Sequence, residues 1–569
     1  MKKTILFFIL TLAVFGSMAA KTVKTSKGGT LREVLGESAL VVKYIKVEGM
    51  INASDIEEIS RISKEGNLRK IDLSKAVFDD YGAIPSGTFD GSKLEEIILG
   101  NTYELQGIGT FKNIPRLRRV VFNGLVGCLD SDIVFQSCPE LKEVVFNGTI
   151  FYAYCDKLCS DCQKLERVVL NGTAGVIFFG ELQNCPRFKG YEVNGTVVHN
   201  EYPEWIKSNI GDLSKTRKEC VNQLEEIARQ WMSGEVKTSE KLAIHLLVGF
   251  VFYNIACEYS LANMKDDAIR MLEISVKAGY KKYAHMEVDT DLDNIRNDER
   301  FKPLYEIARE NGDKLFVLKR SAPYAKDDKD ITFTYASPDD ENLKRVRSYF
   351  HLDSIAGSGD EVSQMKNILY WLHDAIPHDG QNGIPGKERN SICIYEACKE
   401  MGVGANCRGL AIILSELYLA MGWPSRFVTC ESKAYDTDND CHVINMVWSK
   451  QLGKWIWMDP TMAAYVSDEN GQLLGIGEVR QRLIDGRPLV LNEDANWNHK
   501  EKVTKEYYLE SYMAKNLYVI SAYQNNTFGS ERNSTYITLV PQGFDYHNSR
   551  SDASTTSDEA KFYAVPVTK

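Results

Sequence analysis

The chain has 569 residues, of which 44% are hydrophobic and 26% charged, and its formal net charge at pH 7 is −10. That length exceeds what one core can organise and implies about three or four domains. An acidic balance without a basic stripe excludes nucleic acid as the substrate.

The first twenty residues have the layout of an export signal: Lys2 and Lys3, an apolar stretch from Ile5 to Phe15, and the small-residue ending Ser17, Met18, Ala19, Ala20. Cleavage is expected after Ala19 or Ala20, giving a periplasmic, cell-surface or secreted protein. No cysteine follows the apolar stretch before Cys128, which argues against a lipid anchor. No later segment has the ~18 uninterrupted apolar residues of a bilayer span, so no transmembrane helix is expected.

Residues 21–65 lead into a periodic region, 66–201. From Gly66 to Gly195 a unit recurs every 23 to 26 residues, read as NLRKIDLS at Leu68, SKLEEIILGN at Leu94, PRLRRVVFNG at Leu117, PELKEVVFNG at Leu141, QKLERVVLNG at Leu165 and PRFKGYEVNG at Phe188. Each unit predicts a short strand and an irregular return. Cys138, Cys162 and Cys185 each stand three positions before the next unit's leucine-type residue, where a stacked coil takes a small side chain. The thirteen cysteines are therefore expected to be mostly free and buried rather than paired. Cys155, Cys159 and Cys162 have a spacing compatible with zinc, but the core reading is preferred and no metal is expected. The Asn-Gly-Thr sequons at Asn147, Asn171 and Asn194 read as turns after each strand. The region resembles the leucine-rich repeats of BspA-type bacterial surface proteins, with residues 21–65 as the N-terminal cap. That resemblance implies a solenoid whose face binds a surface or host protein.

From 202 to 317 the pattern becomes helical. Tyr253–Ala262 and Asp266–Ala278 predict two amphipathic helices that cross at Ala256 and Ala268, a pairing that resembles a tetratricopeptide unit. Asp289, Asp291 and Asp293 do not make a calcium loop, because Asn294 replaces the turn glycine and Arg300 the bidentate glutamate. Residues 318–357, charged and carrying ITFTYAS, read as a linker with a leading strand, and 358–569 as the last domain.

That domain carries the chemistry. Cys407, in GANCRGLA, precedes the apolar run Leu410–Met421 closed by Gly422, which predicts a buried helix with the thiol at its first turn. The dipole there favours a thiolate, and the Cys407 N–H can face a developing oxyanion. His442, in CHVINMVWS, and Asp459, in WIWMDPT, fall on a predicted hairpin with its turn at Lys450–Gly453. If paired residue numbers sum to 901 the two are opposite, at 903 they are diagonal neighbours in reach, and at 902 they lie on opposite faces.

A cysteine, histidine and aspartate in this order, with MGWPSRFVTC between, resemble the transglutaminase-like superfamily of papain-like enzymes over roughly Glu361–Ala464. The resemblance implies an α+β catalytic domain in which Cys407 is nucleophile, His442 general base then acid, and Asp459 the residue that orients it. It departs from the family in having Ile444 where many members place an aromatic residue. For the second oxyanion donor Trp371 is a candidate that the sequence gives no reason to prefer. Cys441 neighbours His442 but points to the opposite face, Cys430 is a core residue or a disulfide partner, and Cys393 and Cys398 lie on an upstream helix.

The expected protein is thus an exported, multidomain α/β molecule: a leucine-rich repeat solenoid, a helical middle and a cysteine peptidase or amidase acting on protein or peptide amides, without a cofactor. Water as second substrate would make it a hydrolase, an amine a transamidating enzyme. The rival expectation is a non-catalytic surface adhesin built on the same platform. Tyr507–Met513 is predicted as a helix, and Thr535–Val540 and Phe562–Val567 as two strands, completing the last domain.

Overall fold

The structure is a computed structural model and describes residues 20–78, 84–106, 110–180, 182–200, 215–234, 244–436, 438, 440–532, 535–547 and 553–566. The export-signal stretch lies outside these residues except for Ala20, as do residues 201–214 at the start of the predicted helical region. Two compact units divide the chain, Met1–Gly312 and Asp313–Lys569.

The first unit contains two parallel sheets. One has eight strands: Ala20–Thr25, Tyr44–Ile51, Lys70–Phe78, Glu96–Leu99, Arg119–Phe122, Glu143–Phe146, Arg167–Leu170 and Gly190–Val193, in that spatial order. The last six each follow a repeat's leucine-type residue by two positions, so the sequence period and the strand period coincide. Where the sequence suggested irregular returns, the chain forms a second parallel sheet from Thr102–Gln106, Val126–Gln136, Ile150–Ser160, Thr173–Phe179 and Thr196–Asn200. These returns have no clean apolar alternation because both faces of segments such as VGCLDSDIVFQ are largely buried.

Inside, equivalent positions stack: Phe111 on Phe135 at 4.9 Å and Phe122 on Phe146 at 4.7 Å between ring centroids. Cys138 and Cys162 are buried, their thiols donating to the carbonyls of Phe111 and Phe135. All thirteen cysteines are free. The Asn-Gly turns stack too, with the amide of Asn147 donating to Asn123, that of Asn171 to Asn147, and that of Asn194 to Asn171 at 2.8 to 2.9 Å. Glycine is required behind each: a Cβ on Gly148 would stand 1.9 Å from the carbonyl oxygen of Gly124.

Helices Lys215–Met232, Ile244–Leu261 and Lys265–Lys277 follow. The last two pack together with Ala256 and Ala268 fully buried, and Ser275 Oγ donates to the carbonyl of Gly249 at 2.6 Å. Ile244–Leu261 is long and apolar enough to cross a membrane by length and composition. It escaped the sequence criterion because His245, Asn254 and Glu258 interrupt it, and 61% of it is buried inside the protein.

In the second unit the stretch expected as a linker is folded. Helices Lys314–Lys319, Glu341–Phe350 and Leu352–Ala356 and strand Thr334–Tyr335 put Phe333, Leu343, Val346 and Leu352 into the same core as the nucleophile helix. Its charges mark the solvent face of amphipathic helices, capped at Asp340 by bonds from the Asn342 and Leu343 N–H groups. A six-stranded sheet runs Lys454–Met458, His442–Ser449, Ser425–Glu431, Val519–Tyr523, Tyr536–Leu539, Ala553–Thr556, antiparallel except for the last pair. Of the predicted strand at 562–567, Phe562 ends a short helix, Glu559–Phe562, that Asp558 caps through the N–H groups of Ala560 and Lys561, residues 563–566 form no strand, and 567 lies outside the described residues.

Candidate active site

The helix Cys407–Ala420 begins at the cysteine itself. Asn406 accepts the N–H of Gly409 at 3.0 Å, which fixes the helix start and leaves the thiol at the positive end of the dipole. Arg408 clamps this first turn to the sheet by donating to Tyr536 Oη and Thr429 Oγ1 at 2.8 and 3.0 Å. The buried Asn445 side chain donates to the Ala411 carbonyl at 2.9 Å, tying the histidine strand to the same helix.

The hairpin pairs Asn445 with Met458 and Met446 with Trp457, a register in which numbers sum to 903. His442 and Asp459 are therefore diagonal neighbours on one face, and His442 Nε2 lies 2.7 Å from Asp459 Oδ2. Both side chains are sealed from water, at 2% and 0% exposure. Asp459 also accepts from the Tyr508 hydroxyl and from the Thr461 N–H at 2.8 Å. With Nε2 committed to the carboxylate, Nδ1 is the nitrogen left for the sulfur.

The Cys407 thiol is influenced by three groups near it, His378, His442 and the Val443 N–H. Burial alone would raise its pKa, but these groups and the His442 charge outweigh it and bring the thiol down to about 6. Burial likewise opposes a charged His442, but Asp459 and the sulfur raise its pKa to about 10. Asp459, also opposed by burial, is held below the ordinary carboxylate range by His442, Tyr508 and the Thr461 N–H. The arrangement favours a thiolate–imidazolium pair backed by a carboxylate, which can attack a carbonyl and return a proton to a leaving amine.

Of the remaining candidates, Trp371 is enclosed by Phe350 and Tyr395, with ring centroids at 5.6 and 5.9 Å. Cys430 pairs with His442 in the adjacent strand but is fully buried, and burial drives its thiol pKa well up. Burial also raises Cys441, to about 11.

Sequence reasoning missed His378, Trp497, Tyr508 and Tyr512. His378 sits in the loop after Pro377, where its backbone bridges Ala405, two residues before the thiol. The close approach requires Gly404, whose Cβ would stand 2.3 Å from the Pro377 carbonyl oxygen. Tyr508 and Tyr512 come from a π-helix, Glu506–Met513, a form that recurs at functional sites. Tyr512 stands over His442 at 5.3 Å and stacks on the exposed Tyr507. A cavity of about 590 Å³ is lined by His378, Met462, Trp497, Val503, Tyr507 and Tyr512, with Asp440, Glu501, Lys502 and Thr504; Cys407 is not among its lining residues.

Residues 351–460 match the model of the transglutaminase-like superfamily. That transglutaminase-like region contains Cys407, His442 and Asp459, and it supports a cysteine-dependent enzyme at the level of the superfamily. A solved structure described as a candidate cysteine protease from Cytophaga hutchinsonii is similar at 16% identity over 26% of this chain, with a TM-score of 0.17. The similarity spans about half, 48%, of that solved chain. No curated protein matches the chain.

Proposed function

We propose that the protein is an exported cysteine peptidase or amidase that attacks peptide or side-chain amides through Cys407. The observation that carries this reading is the buried 2.7 Å contact between His442 and Asp459 near a thiol that the same imidazole influences. Cys407 Sγ bonds to the amide carbon, the carbonyl electron pair moves to oxygen, and His442 gives its proton to the departing amine. Water then attacks the acyl-enzyme, with His442 taking its proton, and releases a carboxylic acid; an amine in place of water would give a new amide. The cavity lined by His378 supports an extended peptide whose apolar side chain lies against Met462, Trp497, Val503 and Tyr507.

In this reading the two parallel sheets are leucine-rich repeats of the BspA type that hold a surface or host protein, and the helices after them a tetratricopeptide-like element. The alternating ion-pair ladder Glu96, Arg119, Glu143, Arg167, Glu192 on the outer sheet face supports recognition by charge.

The deciding experiment compares proteome-wide cleavage, amine incorporation and side-chain amide conversion by the wild type and by Cys407→Ala. Wild-type-specific new termini support a peptidase, and wild-type-specific amine incorporation a transamidating enzyme. Wild-type-specific conversion of Gln or Asn to Glu or Asp supports a side-chain amidase, and identical profiles in all three readouts leave only a binding molecule.

A further inference from the structure

Two histidines bear on the Cys407 thiol, His442, bonded to Asp459, and His378, whose backbone bridges Ala405 two residues before it. His378 is held on all sides. Its backbone N–H donates to Asn498 Oδ1 at 2.7 Å and its carbonyl accepts from Asn498 Nδ2 at 2.9 Å. On the other side the loop pairs with the chain entering the nucleophile helix: Asp379 N–H donates to the Ala405 carbonyl at 2.8 Å, and Ala405 N–H to the Pro377 carbonyl at 3.1 Å. The ring itself receives the indole N–H of Trp497 on Nδ1 at 3.1 Å.

Indole nitrogen can only donate, so Nδ1 of His378 must be the bare, accepting nitrogen and the ring proton must sit on Nε2. A cationic ring would set two N–H groups against each other. Nε2–H is the remaining polar group of the ring and the donor it can offer to the sulfur. Such a group cannot serve as the base, and among the described residues no carboxylate is hydrogen-bonded to its ring. It is a fixed dipole aimed at negative charge.

We infer that His378 is a second catalytic histidine, acting as a neutral hydrogen-bond donor to the Cys407 sulfur and then to the oxyanion formed on the attacked carbonyl, with Trp497 as the positioning residue that fixes its tautomer. The inference rests on the reading of Cys407 as nucleophile. No proton is transferred from His378: the carbonyl electron pair moves to oxygen as the S–C bond forms, and the Nε2–H bond turns from sulfur to that oxygen. The proton delivered to the leaving amine is the one on His442. The other titratable groups that bear on the sulfur are His442, Cys430, Cys441 and Tyr512, and none of these is altered in the test.

The test is the rate of iodoacetamide alkylation at Cys407, followed residue by residue by mass spectrometry across pH 5 to pH 9, in the full chain. His378→Ala is expected to move the thiol midpoint up by about one pH unit, lowering the rate about tenfold at pH 5 and about twofold at pH 7. Trp497→Phe, which keeps the ring and deletes the N–H, is expected to move the midpoint the same way by a smaller amount. His378→Gln, which restores an N–H donor of similar reach, is expected to recover part of the rate. Wild-type midpoints in both His378→Ala and Trp497→Phe overturn the inference while leaving the nucleophile intact. If His378→Ala does not fold, Trp497→Phe decides alone. Wild-type Cys407 reacting no faster than Cys393 would instead overturn the nucleophile reading and this inference with it.

Discussion

The Tyr508 hydroxyl donates to Asp459 Oδ2, the same oxygen that faces His442 Nε2 at 2.7 Å. A carboxylate that receives a phenol, an imidazole and the Thr461 N–H is fixed in both rotation and charge, and it fixes the imidazole in turn. Tyr508→Phe keeps the ring packing and removes one donor to a buried anion, at a cost of about 1–3 kcal/mol. The expected result is a thiol midpoint raised by about one to two pH units, read as roughly a tenfold or greater fall in Cys407 alkylation at pH 5 with the fold retained. An unchanged alkylation rate in a folded Tyr508→Phe protein would show that the phenol does not support the charged pair.

The pH profile follows from the two titrations. With the thiol at about 6 and the imidazole at about 10, the ion pair forms as pH rises through about 6 and is lost as the imidazolium deprotonates through about 10. Amide cleavage is expected to trace a bell between those limits, because attack needs the thiolate and amine departure needs the protonated ring. His442→Ala removes the main charge on the sulfur and is expected to move the alkylation midpoint toward the ordinary thiol value of about 8.5. A midpoint that stays near 6 in His442→Ala would assign the low value to His378 and the helix dipole alone.

The pairing of His442 with Asp459 was legible because strand alternation needs only residue numbers. What alternation left open, opposite or diagonal, is decided by the four-residue turn Lys450–Gly453, which sets the sum at 903. The repeats were equally legible, since each strand must bury the same positions as its neighbour. His378 and Trp497 were not, because they stand 29 and 90 positions from the thiol on loops whose course depends on contacts such as Asn498 with His378. Tyr508 and Tyr512 were hidden by geometry: a helical reading of Tyr507–Met513 assumes 3.6 residues per turn, and the π-form stacks Tyr507 with Tyr512, five positions on. The charged stretch before the last domain misled because polar faces of short helices and true linkers have similar composition.

The repeat stack gives a sharp stability contrast. Ala at position 148 or 172 would press a Cβ to 1.9 Å from a backbone oxygen of the preceding turn, whereas Gly91 meets nothing within 4 Å. Gly148→Ala is expected to destabilise the first unit by about 3 kcal/mol or more. Asn147→Ala, which breaks the amide ladder at an exposed turn, should cost about 1 kcal/mol. Thermal unfolding monitored in the first unit checks both, and equal effects from the two substitutions would contradict the close-approach argument.

Glu416 ties the second unit together from the middle of the nucleophile helix. It is 3% exposed and accepts the N–H groups of Ser391 and Gly529, each at 2.8 Å. Burial raises its pKa from 4.5 to about 7 against the opposing effect of those two N–H groups. Because the folded value is the higher one, the native state holds a proton that the unfolded chain has released between about 4.5 and 7. Its contribution is complete below 4.5 and is lost as pH rises through about 7, amounting to about 3 kcal/mol. Urea unfolding of the wild type should therefore weaken from pH 5 to pH 8 more than that of Glu416→Gln, which cannot ionise. Glu416→Gln should also be less stable than the wild type at pH 5, since its amide N–H₂ must face the N–H of Ser391 or Gly529. Parallel pH dependences in the two proteins would mean that Glu416 stays in one protonation state throughout, and that the nucleophile helix is insensitive to neutral-range pH.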